Sequence, residues 1–384
     1  MREVTLVVNA GKHARQNCPV WVRLDPAGSD IANPVLTDAT GAVVPCQLLQ
    51  DQGAVLCFIL KSLPKGQSLT LTLTPGGGRP APRVALVDQP GEKVDVQIGG
   101  KLFTSYHCAA TWARPFLLPV IGPYGDPITR QYPVAQVAGE RQDHPHHKSC
   151  WVAWGKVNGT DNWSETPGYA RQLHQQFEAL DSGPVFGRLV ARNHWVSNAG
   201  QKVLEERRTL VFYDLPEAGR LVDLTVTFIA TEGPVVFGDT KEGGIASIRV
   251  ATSMDAEVNG TIINAYGGTN EAETWGKRAH WCDYFGPVQG KTVGITIFDT
   301  PGNFRYPTYW HVRNYGLMTA NPFGLSHFLN DKSRDGSHRI DKGTVFPFTY
   351  RLYFHAGDTH EANVAGKFLD HVAPPAVEVK SPAP

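Results

Sequence analysis

Short stretches in which apolar and polar residues alternate recur along most of this 384-residue chain. In the first 75 residues "VTLVV" (4–8), "PVWVRL" (19–24), "AVLCFIL" (54–60) and "SLTLTLTP" (68–75) are rich in β-branched residues and are separated by Pro, Gly, Asn and Asp. That pattern predicts a small immunoglobulin-like β-sandwich over 1–75. "PGGGRPAPR" (75–83) opens a proline-punctuated linker, placed at 76–93. Beyond it "VDVQIGGKLFTSY" (94–106) predicts a hairpin turning at Gly99-Gly100, and strands are expected at 185–196, 204–213, 221–231, 247–252, 292–299 and 346–357. One helix is predicted, "THEANVAGKFLDHVA" (359–373), capped by Thr359 with Glu361 in its first turn. The fold class is therefore all-β: the small sandwich, a large antiparallel β-structure over 94–373, one short C-terminal helix, and a disordered tail at 374–384.

Composition narrows the function. Lys+Arg and Asp+Glu are both 36, and no block of basic residues exists. A general nucleic-acid binder or a polybasic membrane anchor is not expected. The most apolar runs are far shorter than the roughly 20 residues that span a bilayer. The N-terminus alternates like a strand and lacks a signal peptide's apolar block, so a chain that starts here is expected in the cytoplasm. Six scattered cysteines without a CxxC read as free buried thiols.

Between Trp112 and Glu165 the pattern breaks into a long irregular stretch dense in Pro, Gly, His and Trp, and eight of the nine tryptophans lie between Trp112 and Trp310. Long loops on a rigid β scaffold are where function concentrates. In "DHPHHKSCWVAW", Pro145 favours an extended His144, so His144 and His146 are expected on one face, as a pair for one metal or one substrate. His147 should point away, and Asp143 can fix an imidazole tautomer. The alternative is that these rings only bond loop carbonyls. "GDTKEGGIASIRV" places Asp239 and Glu242 before two glycines, where Glu242 suits a general acid or base. The alternative there is an ordinary charged turn. His280 with Trp281, and His311 with Arg313 and Asn314, complete a mixture of flat rings and polar groups that suits a sugar, or else an aromatic core with polar edges. Nucleotide-binding glycine loops, G-x-S-x-G and H-E-x-x-H are absent.

The run "RPFLLPVIGPYGDPITRQYPV", "GERQDHPHHKSCWVAWGKVNGTDNW" and the later blocks "FGDTKEGGIASIRV", "TWGKRAHWCDYFGP", "FRYPTYWHVRNYGLMTANPFG" and "FPFTYRLYFHAG" resemble a widespread bacterial family labelled "methane oxygenase PmoA". The resemblance covers roughly 94–357. It implies a galactose-mutarotase-like β-supersandwich and an association with sugar catabolism, and it carries over His144, His146 and His147. The expectation is a carbohydrate-active enzyme performing elimination, hydration, hydrolysis or epimerisation on a small-molecule sugar or oxidised sugar. His144, His146, Glu242 and His311 are the expected catalytic residues. His147, Trp151, Trp154, Asp239, His280, Trp281, Arg313 and Asn314 are the expected substrate contacts. No cofactor is certain; a divalent metal on His144, His146 and Glu242 is possible. The alternatives are a non-catalytic sugar-binding protein and a metal-dependent oxygenase. The oligomeric state is open.

Overall fold

Each strand with one face on a core shows its alternation as burial, and the resulting sheets are antiparallel throughout. In the computed structural model, which describes residues 3–24, 31, 33–50, 53–78 and 80–380, Val4, Leu6 and Val8 are buried while Thr5 and Val7 between them are only partly covered. Their strand Val4–Asn9 belongs to a five-stranded sheet that packs on the three strands Arg15–Arg23, Ala54–Leu63 and Cys46–Gln50. The protein is all-β, as the alternation predicts. The hairpin at Gly99-Gly100 joins Lys93–Ile98 to Lys101–His107. All six cysteines are free and buried. Among the described residues no helix is long and apolar enough to cross a membrane.

Two eight-stranded antiparallel sheets form the larger body. The first runs, in spatial order, Tyr309–Arg313, Leu317–Asn321, Gly243–Arg249, Cys150–Trp154, Phe116–Val120, Lys101–His107, Lys93–Ile98, Val84–Gln89. The second runs from Arg171–Asp181 through Gly219–Ile229 and Val345–Ala356 to Thr261–Asn264. Between them lies one apolar core containing Val96, Val152, Trp154, Ile248 and Trp310 from the first sheet and Leu210, Val226, Ile295 and Leu352 from the second.

Three expectations about the ends and joints change. The tail expected to be disordered contributes a strand, Ala376–Lys380, that pairs with Val4–Asn9, because Val377 and Val379 find cover on the N-terminal core; residues 381–384 lie outside the described residues. Most of the expected linker 76–93 is not a linker. Val84–Gln89 is the edge strand of the first large sheet, held by its pairing with Lys93–Ile98. The helix runs only over Val364–Val372. Its N-cap is Asn363 in the left-handed region, and the Thr359 hydroxyl instead donates to Asp283, 2.6 Å away.

The small and large parts share a packed joint. Cys57 and Trp21 meet Phe186, Tyr213 and Phe368. Gln47 reaches across, its Oε1 accepting from the backbone N–H groups of Val185 at 3.1 Å and Phe186 at 3.0 Å. Gly183 leaves room for it, since a Cβ there would sit 2.1 Å from that oxygen. Gln47→Ala strands two backbone donors and should lower stability by about 1–3 kcal/mol, measured by urea unfolding; an unchanged midpoint would show that solvent replaces Gln47 at no cost.

Candidate functional site

Strand parity sorts the aromatic residues of the first large sheet. In Cys150–Trp154 the even positions Cys150, Val152 and Trp154 face the inter-sheet core. Trp151 and Ala153 face outward, beside Phe116, Leu118, Trp163 and Leu317. The same rule puts Trp310 and Val312 in the core and turns His311 and Arg313 outward. This outer face is covered by the irregular stretch, and there the histidines gather.

The expected extended His144–Pro145–His146 does not form. His144 has φ 41°, in the left-handed region, and the backbone N–H of His147 donates to the His144 carbonyl at 2.9 Å, closing a tight turn. The turn gathers all three rings: His146 stands edge-on to His144 at 5.7 Å, and His147 lies closer. The His144 and His147 rings lie parallel, 4.8 Å apart and 3° from coplanar. Tyr315, from the turn after Tyr309–Arg313, lies parallel to His144 at 4.9 Å. Trp151 stacks on His147 at 5.3 Å. His146 stands edge-on to His147 at 4.3 Å, and Trp163 closes that side at 5.4 Å from His147. His147, expected to point away, is thus the buried centre.

Two buried arginines hold this turn. Loop carbonyls that leave water need donors. Arg130 supplies them to the carbonyls of Arg141, Asp143, His144 and His147. Arg114 supplies them to His146, Asn162 and Trp163, and binds Glu165 at 2.7 Å. Glu165 also takes Lys148 at 2.6 Å. Asp143 is shared by Arg130 at 2.6 Å, Arg249 at 2.8 Å and Arg141 at 3.1 Å. Its partial burial works to raise its pKa, but Arg249, His144 and Arg130 outweigh that and hold it below the usual carboxylate range.

Protonation follows from these contacts. Arg249 points Nη1 at His147 Nδ1, 3.2 Å away, so Nδ1 accepts and the proton sits on Nε2. Burial, then His146 and Arg249, keep His147 neutral. Burial, then Arg114 and His144, lower His146 to about 3. Lys148 falls to about 8, first through burial. Tyr315 rises to about 12: burial raises it, Arg313 and Arg249 pull it down, and Glu242 and Asp143 push it up. Its hydroxyl makes no hydrogen bond within the described protein. The buried indole N–H groups of Trp151 and Trp163 are also without acceptors. His144 Nδ1 lies 3.2 Å from Asp143 Oδ2, within reach of its charge though not aligned for a hydrogen bond.

The other expected site residues separate. Glu242 stands before the opposite end of Gly243–Arg249, paired with Lys241 at 2.6 Å, and reaches the cluster only through its field on Tyr315. His311 is buried, accepts from Trp275 Nε1 at 2.9 Å, and is held neutral by burial, then Arg313 and Lys241. The pairings His311↔Thr319, Thr319↔Ser247 and Ser247↔Trp151 put it three strands from Trp151, about 14 Å at the usual strand spacing. Trp154 is in the core, its indole donating to the Gly238 carbonyl. Asp239 braces a loop by accepting from Ser326 and Gly336. Asn314 accepts from the backbone of Glu271. His280 bonds Tyr306 and Tyr266, and Trp281 packs in the joint beside Phe368, both on the second sheet.

Among the described residues no three His, Cys, Asp or Glu side chains come together as metal ligands. The set His144, His146 and Glu242 is not formed, nor is the oxygenase triad that would use it. Tyr315, Trp163, Arg114, Arg130, Arg249, Lys148 and Glu165 were not singled out as site residues from the sequence. "NW" and "RNYG" flagged the aromatics, but nothing local marks the arginines as loop clamps.

A family model described as "Family of unknown function (DUF6807)" matches residues 93–368, and the chain belongs to that family. No curated protein matches. Among solved structures, a protein in the Glycosyl Hydrolase Family 38 from Enterococcus faecalis is 10% identical, with TM-score 0.48 over 100% of this chain and 47% of that one. The heparan sulfate lyase HepC from Pedobacter heparinus is 10% identical, with TM-score 0.36 over 73% of this chain and 38% of that one. A GalM/aldose epimerase homologue from C. elegans is 8% identical, with TM-score 0.30 over 72% of this chain and 99% of that one. The chain thus spans less than half the length of the first two. At these scores none of the three carries an argument about chemistry.

The buried imidazoles make stability depend on pH. His146 titrates near ~6.5 when unfolded and at about 3 when folded. Between those values the unfolded chain binds a proton that the native one refuses, so stability falls as pH falls. The slope approaches about 1.4 kcal/mol per pH unit well below the unfolded pKa. His146→Gln should therefore lose less stability than the parent on going from about pH 7.5 to about pH 5 in urea titrations. Equal losses would mean that His146 is protonated in the native protein.

Proposed function

We propose that this member of the family is a carbohydrate-active enzyme in which His144 takes a proton from the substrate and Tyr315 gives one to it. The observation that carries the reading is the parallel seating of these two rings, 4.9 Å apart, with the phenol uncommitted. Asp143 beside Nδ1 of His144 favours the proton there and leaves the Nε2 lone pair to act as base. Tyr315, raised to about 12, keeps its proton at neutral pH and serves as the acid. His147 Nε2–H, held as that tautomer by Arg249, supplies a donor for charge that develops on a substrate oxygen. His146, lowered to about 3, is too weak a base for the role first expected of it.

Among the reactions expected from the sequence, this arrangement favours elimination over hydrolysis by a pair of carboxylates, and over epimerisation, which must reprotonate the same carbon from its other face. Such hydrolysis needs two carboxyl groups free to work across a glycosidic bond. Here Asp143 is bound by arginines, Glu165 by Lys148 and Arg114, and Glu242 by Lys241. A neighbouring base and acid suit removal of a C–H proton and protonation of an adjacent atom.

Tyr315→Phe keeps the ring packing and removes only the hydroxyl. It should lower kcat by about 10²–10⁴-fold with little change in KM, followed by NMR on a panel of uronates and neutral glycosides. Unchanged turnover in the variant rejects Tyr315 as acid. No turnover of any saccharide by the parent rejects the enzymatic reading.

A further inference from the structure

Beside the strand that leads into the Tyr315 turn lies a cavity of about 660 Å³, lined by Lys241, Trp275, Lys277, Arg313 and Lys332 together with Glu271. It lies on the outer side of the strand that carries His311 and Arg313. Two of its cations are matched: Lys241 pairs with Glu242 at 2.6 Å, and Arg313 pairs with Glu271. Lys277 and Lys332 pair with no carboxylate among the described residues. With Lys241 matched by Glu242 and Arg313 by Glu271, the lining keeps a surplus of two positive charges, Lys277 and Lys332. The Arg313 guanidinium is held over the Trp275 ring at 5.3 Å, so its planar donor edge is pre-positioned at the wall. The volume exceeds what one inorganic anion fills and falls in the range of small-ligand sites.

We infer that this cavity receives an anionic saccharide unit, carboxylated or sulfated, continuing from the unit that reacts at Tyr315. The inference rests on the carbohydrate reading of the neighbouring site. Arg313 links the two places, because it lines the cavity and ends the strand two residues before Tyr315. A substrate that bridges them would bring its negative charge to Lys277 and Lys332 and its reacting carbon to His144 and Tyr315.

The test is calorimetric titration of the intact protein with D-glucuronate, glucose 6-sulfate and D-glucose, at low and high salt, for the parent and for Lys277→Ala/Lys332→Ala. Both lysines are exposed, so the double variant should fold as the parent does. At least one of the two acidic sugars should bind about tenfold or more tightly than glucose, and should lose that advantage in the double variant and in high salt. The stronger of the two identifies the anionic group. Glucose binding as tightly as both acids, or acidic-sugar binding unchanged by the double variant, overturns the inference and leaves the reaction at Tyr315 standing. Acidic sugars that bind through the lysines support the cavity whether or not they are converted, since a single unit seated there does not reach Tyr315; the acid–base reading falls separately, on unchanged turnover in Tyr315→Phe.

Discussion

The candidate site depends on one guanidinium. Arg130 is fully buried and gives its two terminal nitrogens to four backbone carbonyls of the segment that carries the histidines. A loop with that many carbonyls turned inward cannot stay folded over an apolar face unless something donates to them. Arginine suits this because its fork addresses several acceptors at once and does not lose its charge at ordinary pH. Arg114 repeats the device on the far side of the turn. Together they fix the left-handed His144 and hence the parallel seating of His144 and His147. The imidazoles are positioned by cations they barely touch.

That arrangement explains what the sequence discloses and what it hides. Alternation marks most long strands and the Gly99-Gly100 hairpin, because one buried face leaves a period of two. It also contains the parity that separates Trp151 from Trp154, which sit three residues apart in one strand and so on opposite faces. The short strand Cys150–Trp154 is apolar on both faces, so no alternation shows and both tryptophans look equally available. The tail strand Ala376–Lys380 is legible only to a reader who knows that Val4–Asn9 offers it an edge.

The turn at His144 is hidden for a different reason. Pro145 biases His144 toward extended geometry, and locally that inference is sound. The native φ of 41° is imposed by Arg130, 14 residues from His144, and by Arg249, which binds the preceding Asp143 from 106 residues away. No local propensity encodes a partner at that separation. The same holds for Glu242, whose sequence neighbour Lys241 neutralises it, and for His311, which Trp275 covers from another loop. Residue type indicates the chemistry available; the long-range clamps decide which side chains are free to perform it.

Freedom is the property that singles out Tyr315 and His144. Asp143 and Glu165 are engaged by cations, Asp161 by the N–H and O–H donors of Trp163 and Ser164, and the cations are spent on carboxylates and carbonyls. His147 and His146 are held neutral by burial among those cations, since a further positive charge there would be desolvated and repelled at once. What stays uncommitted is the phenol of Tyr315 and the outer nitrogen of a partly exposed His144. On the proposed reading, such a site presents one proton donor and one proton acceptor side by side on a rigid cationic bed, and a substrate with an acidic C–H bond next to an electron-withdrawing oxygen is the kind on which both would act.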